Sequence, residues 1–97
     1  MPKLLSDIER TAALGRLPDW RLAGDGKTIT RTFTFKDFSE AFGFMARAAL
    51  AAEKMDHHPD WSNSYKRVEV GLSTHAAGGL TELDVKLAGE MDRIAGR

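Results

Sequence analysis

The run Thr28–Phe35, TITRTFTF, leads directly into Asp37-Phe38-Ser39-Glu40, and there the hydrophobic period changes from two to the helical value of about 3.6. Every even position of the run is threonine, while Ile29, Phe33 and Phe35 share the other face with Arg31. Such a strand buries one face and leaves a hydroxyl-rich one outside. Asp37-Phe38-Ser39-Glu40 has the form of a capping box with Asp37 as N-cap. A half-buried strand feeding a capped helix calls for a helix packed on a sheet, and hairpins alternating with helices along the chain suggest an α+β domain.

The same two signals recur along the chain. Ser6-Asp7-Ile8-Glu9 has the form of a capping box, so a helix begins near Ser6; Gly15 can end it and Pro18 discourages continuation. Trp20-Arg21-Leu22 reads as a short strand, and Gly24-Asp25-Gly26 as a turn. The long helix after Asp37 places Phe38, Ala41, Phe42, Met45, Ala49 and Ala52 at core spacing. Pro59 biases His58 away from the α region, which predicts a helix end near His57. Strands follow at about 61–65 and 68–72, with Val68, Val70 and Leu72 on one face. Residues 76–79 read as a loop. Thr81 caps a last helix carrying Leu83, Leu87, Met91 and Ile94 inward. The predicted order is α-β-β-α-β-β-α: one domain over 1–97, a four-stranded antiparallel sheet with three helices on one face.

Ninety-seven residues support only a small core, and self-association as a dimer or tetramer would help stabilise it. Fourteen basic residues balance fourteen acidic ones, so no general grip on nucleic acid is expected. The absence of cysteine excludes disulfides, thiolate catalysis and cysteine-based zinc sites, and a cytosolic setting is expected. The N-terminal segment mixes charges without a long apolar run, so it reads as neither signal peptide nor membrane span.

The chemistry-bearing feature is KMDHHPDW, Lys54–Trp61, which holds two of the three histidines. Glu53 stands four residues before His57 on the same helix, a spacing that puts both on one face within hydrogen-bonding reach. His58 would leave the helix in an extended conformation, and His75 falls just past the last strand. Three readings compete. His57 and His58 can be ordinary residues at a helix C-terminus, favoured there by its dipole. They can bind metal, but adjacent histidines on diverging backbone converge poorly, and the i, i+4 pair of a helix-borne zinc motif is missing. Or they can move protons, because free imidazole titrates near about 6.5. Local physics leaves these open.

The joined pattern Glu53-x-x-x-His57-His58-Pro59, Trp61, Asn63, Tyr65, Val68-x-Val70-x-Leu72-x-Thr74-His75 and Gly79-Leu80-Thr81-x-x-Asp84 resembles the pterin-4a-carbinolamine dehydratase family. The likeness is dense over about residues 53–88 and extends to the first helix and to Trp20; Asp19 stands where members often carry glycine. The resemblance implies an α+β fold. It implies dehydration of 4a-hydroxytetrahydrobiopterin, or a related 4a-hydroxytetrahydropterin, to quinonoid dihydropterin, without metal or organic cofactor. That step recycles the pterin after aromatic amino acid hydroxylation, with a hydroxylase as metabolic partner.

By the same resemblance His57, His58 and His75 line the pterin pocket, His57 and His75 as the proton-transfer pair and His58 as a substrate-orienting group. Glu53 would orient His57. Asp84 matches the family aspartate, but a carboxylate three residues after the Thr81 cap also stabilises the helix start. Backbone around Ser73-Thr74-His75 and Pro59-Asp60-Trp61 could meet the pyrimidine edge of the pterin. Trp61 would supply apolar cover or be core, and Trp20 would line the pocket or pack at its rim. Animal members of the family also resemble a dimerisation cofactor of a homeodomain transcription factor. The helix that would serve that role here spans about residues 38–55, so a non-catalytic binding module is the alternative function.

Overall fold

The computed structural model describes residues 2–96. Helix α1 (Asp7–Gly15) starts at the Ser6 capping box: the Ser6 N–H donates to Glu9 Oε1 at 2.8 Å, and the Glu9 N–H donates to Ser6 Oγ at 3.1 Å. Strands β1 (Arg21–Leu22) and β2 (Ile29–Thr34) follow, then helix α2 (Phe38–Met55). Asp37 caps α2 by accepting the Glu40 N–H at 2.8 Å, while Glu40 reaches past the cap to the Lys36 N–H at 3.2 Å. Strands β3 (Asp60–Ser64) and β4 (Arg67–Leu72) form a tight hairpin, and a 3₁₀ turn (His75–Ala77) stands where a loop was expected. Helix α3 (Glu82–Ala95) closes the fold. The sheet is antiparallel throughout, in the order β1-β2-β4-β3.

Alternation decides which face of the sheet is buried. Ile29 and Phe33 of β2 and Val68, Val70 and Leu72 of β4 are buried against Phe44, Ala48 and Ala52 of α2 and Leu87, Ala88 and Met91 of α3. Phe33 and Phe44 rings lie 4.6 Å apart. On the opposite face Thr30, Thr32 and Thr34 are exposed, as the even threonines predict. Arg31 points to the core side and is satisfied there. Its Nη1 donates to Asp92 Oδ1 at 2.6 Å, its Nη2 lies 3.6 Å from Asp19, and its guanidinium sits 4.2 Å over the Phe33 ring.

Two expectations are corrected. The inner stripe of α2 is Ala41, Phe44, Ala48 and Ala52, with Met45 half-buried; Phe38, Phe42 and Ala49 lie on the exposed side. Phe44 fits between Phe33 and Phe35, and seating it turns the neighbouring stripe outward. The helix also ends at Met55 rather than near His57. Asp56 adopts the left-handed conformation (φ 52°, ψ 42°), its N–H donates to the Glu53 carbonyl at 3.0 Å, and the His57 N–H donates to the Ala52 carbonyl at 3.0 Å. That pair of bonds is a Schellman closure, and aspartate is among the few non-glycine residues that enter this region readily. The chain therefore turns three residues before Pro59.

Candidate active site

The early turn at Asp56 removes His57 from the α2 face and aims it at α3. His57 is buried, and its Nε2 lies 2.6 Å from Oδ1 of Asp84, a residue with no solvent exposure. Asp84 is also the third residue of α3. Its Oδ2 accepts the Thr81 N–H at 2.9 Å and the Thr74 hydroxyl at 2.8 Å. The Thr81 hydroxyl lies 2.7 Å from that of Thr74 and accepts the Leu83 N–H at 3.2 Å. A single carboxylate thus closes a helix N-terminus and holds a histidine.

The other two histidines have carboxylate partners too, but in solvent. Glu53 was expected beside His57; because α2 stops early, its Oε1 instead lies 2.7 Å from His58 Nε2, with both side chains more than half exposed. His75 Nε2 lies 3.2 Å from Asp60 Oδ2, and both are exposed. Asp60 pairs with Gly71 across the sheet, so the start of β3 lies beside the end of β4, and His75 reaches over it. Thr74, next to His75, touches the Asp84 that holds His57. The three histidines therefore sit on segments that adjoin where the β3–β4 pair ends and α3 begins. Each nitrogen contact is to a different carboxylate, and among the described residues no group of three such side chains is placed to share one ion.

The remaining candidates separate. The Ser73 hydroxyl donates to the Lys27 carbonyl at 2.6 Å, tying the end of β4 to the turn before β2. Pro59 is half-buried between His58 and β3. Trp61, opposite Val70, packs against the core. Trp20 is buried elsewhere: its Nε1–H donates to Asp92 at 2.9 Å and its ring meets Phe33 edge-on at 6.0 Å. Asp92 lies eight residues along α3 from Asp84, about 12 Å by helical rise. Trp20 thus anchors α3 rather than lining the histidine cluster. Three side-chain partners lie beyond the sequence expectations: Thr81, expected only as a cap, and Asp60 and Thr74, expected only through their backbone. The spacing Thr81-x-x-Asp84 carries a signal for the first; nothing local signals the other two.

A family model described as pterin 4 alpha carbinolamine dehydratase matches residues 3–94. A protein of Afipia carboxidovorans, provisionally named pterin-4-alpha-carbinolamine dehydratase, is 66% identical over 97 residues, covering 100% of this chain and 97% of its own length. One of Mesorhizobium japonicum with the same provisional name is 64% identical over 92 residues, covering 95% and 94%. Among solved structures, a transcriptional coactivator/pterin dehydratase from Brucella melitensis superposes with a TM-score of 0.92 at 55% identity, covering 95% of this chain and 98% of that one. A pterin dehydratase-like RuBisCO assembly factor of the alpha-carboxysome shares the fold, with a TM-score of 0.70 at 23% identity, over 80% of this chain and 90% of that one. With the match running over nearly its whole length, the chain belongs to the pterin-4a-carbinolamine dehydratase family.

Proposed function

We propose that this protein dehydrates a 4a-hydroxytetrahydropterin, 4a-hydroxytetrahydrobiopterin or a close relative, to quinonoid dihydropterin and water. The reading rests on one observation: three histidines, each partnered by its own carboxylate, lie on adjoining segments at one end of the sheet in a chain of this family. In the reaction the C4a–O and N5–H bonds break and a C4a–N5 double bond forms. Hydroxide leaves poorly, so an acid must protonate it while a base takes the N5 proton. His57, backed by Asp84, is suited to the base role, since a carboxylate behind an imidazole stabilises the cation that forms. His75 protonates the departing hydroxyl, and His58 with Glu53 binds and orients the ring. Each positioned acid or base contributes about 10²–10⁴ in rate. Such an activity would return pterin to an aromatic amino acid hydroxylase.

The test follows quinonoid dihydropterin formation from freshly generated 4a-hydroxytetrahydropterin. Wild type is expected to outpace buffer, and His57→Ala and His75→Ala to lose about 10²–10⁴ in kcat. No acceleration by wild type would remove the reaction. Near-wild-type rates in both variants would remove only the assignment of roles.

A second reading, a binding module, has its own support. Phe38, Phe42 and Leu50 are exposed along one side of α2, with exposed Ala46 and Ala49 between them. An apolar stripe with small residues suits close packing of another helix. A second copy of this chain is the proposed occupant, as a homodimer or homotetramer, and this is compatible with catalysis.

A further inference from the structure

We propose that Thr74 and Thr81 are positioning residues which, through Asp84, decide the ring nitrogen that His57 turns to the substrate. The inference rests on the dehydratase reading for the substrate, but the geometry behind it does not. The sense of the hydrogen-bond chain follows from its ends. The Leu83 N–H at the start of α3 can only donate, and it donates to the Thr81 hydroxyl oxygen. The Thr74 hydroxyl has one proton and gives it to Asp84 Oδ2. The 2.7 Å contact between the two hydroxyls is therefore made by the Thr81 proton. Oδ2 also receives the Thr81 N–H. Two donors on Oδ2 hold the group as an acceptor-only carboxylate in a place without solvent, where an uncompensated charge would be costly. Oδ1 is left facing His57, so the proton in the 2.6 Å contact belongs to Nε2. Neutral His57 then carries its lone pair on Nδ1.

The arrangement has a defined alternative. If Oδ2 loses the Thr74 hydroxyl, the buried charge is held less well, and when the pair takes up a proton from solvent at Nδ1 the shared proton can pass from Nε2 to Oδ1. The pair is then a neutral carboxylic acid beside an imidazole protonated on Nδ1, a donor where the reaction needs an acceptor. Glu53 and Asp60 exert no comparable control over His58 and His75, because those pairs are exposed to competing water. The threonines thus separate one histidine from the other two.

The test uses nitrogen NMR of the imidazoles in the ligand-free, full-length protein, combined with dehydration kinetics. Wild-type His57 is expected as the Nε2–H tautomer at alkaline pH. Thr74→Val, isosteric and outside α3, is expected to shift the tautomer population and move the acidic limb of the kcat profile. It should also lower kcat about 10–100-fold, as loss of a partner behind a metal-bound histidine typically does. Thr74→Ser should restore all three. Thr81→Ser should match wild type, and it keeps the cap where Thr81→Val could unfold the helix start. A wild-type Nδ1–H tautomer, or a Thr74→Val protein with unchanged tautomer and pH profile, overturns the proposal. The ring spectra need no pterin, so the expected tautomer shift in a protein without dehydratase activity supports the network and sinks the reaction.

Discussion

Asp84 shows how burial changes the weight of a carboxylate. Three of its contacts are within 2.9 Å and none reaches water. Removing it leaves the Thr81 N–H and the Thr74 hydroxyl without an acceptor and His57 without its partner. Asp84→Ala is expected to cost about 3–5 kcal/mol, the range for breaking a buried pair. Glu53→Ala, which removes the nearly as short but exposed contact to His58, should cost under about 1 kcal/mol. Urea unfolding of both variants checks this; similar losses would show that burial is not the deciding factor. If one imidazole gives a proton and another takes one, the dehydration rate should be bell-shaped in pH. A flat profile over about pH 5.5–8.5 would count against histidine proton transfer, because free imidazole titrates within that span.

At the scale of the element, helix ends set the geometry. The left-handed Asp56 stops α2 and throws His57 toward α3. Glycine pays no steric penalty in that conformation. Asp56→Gly is expected to raise stability by about 0.5–1 kcal/mol in urea unfolding with the site intact, whereas β-branched Asp56→Val should lower it and impair catalysis. The start of α1 makes a different forecast. Hydrogen bonds from the Ser6 N–H, and then the Ser6 hydroxyl, hold the Glu9 carboxyl below its ordinary value of 4.5. A depressed carboxylate stabilises the folded state above its unfolded pKa, and that contribution is lost as pH falls through the folded value. Protection of the first-turn amides of α1 against hydrogen exchange, each measured against its intrinsic rate at the same pH, should therefore fall under acid. Glu9→Gln should flatten that dependence, and an identical acid response in Glu9→Gln would refute the assignment.

For the molecule as a whole, the sheet and the packing of α3 hold the site while α2 faces two ways. Its inner stripe completes the core, and Phe38, Phe42 and Leu50 remain outside. The double variant Phe42→Glu/Leu50→Glu should shift the mass measured by light scattering toward the monomer. An unchanged mass would exclude this stripe as the contact between copies. Trp20, Arg31 and Asp92 do their work at this scale, fastening the second half of α3 to β2, well away from the histidines.

The elements were readable because their signals are local. Ser6 with Glu9, Asp37 with Glu40 and Thr81 with Asp84 each lie within one helical turn, and the threonine alternation of β2 needs only neighbouring residues. The order α-β-β-α-β-β-α follows from them. Partner choice was not readable, because it depends on where distant segments meet. Glu53 and His57 have helical spacing, yet one left-handed residue redirects His57 to a carboxylate 27 positions away. The choice between stripes of α2 was equally hidden: Phe38 and Phe44 are alike as letters, and only the position of Phe33 across the core decides which one is buried. Local hydrogen bonds and periodicity are written in adjacent residues; the pairing of buried charges and the facing of a helix are decided only when the whole chain has closed around them.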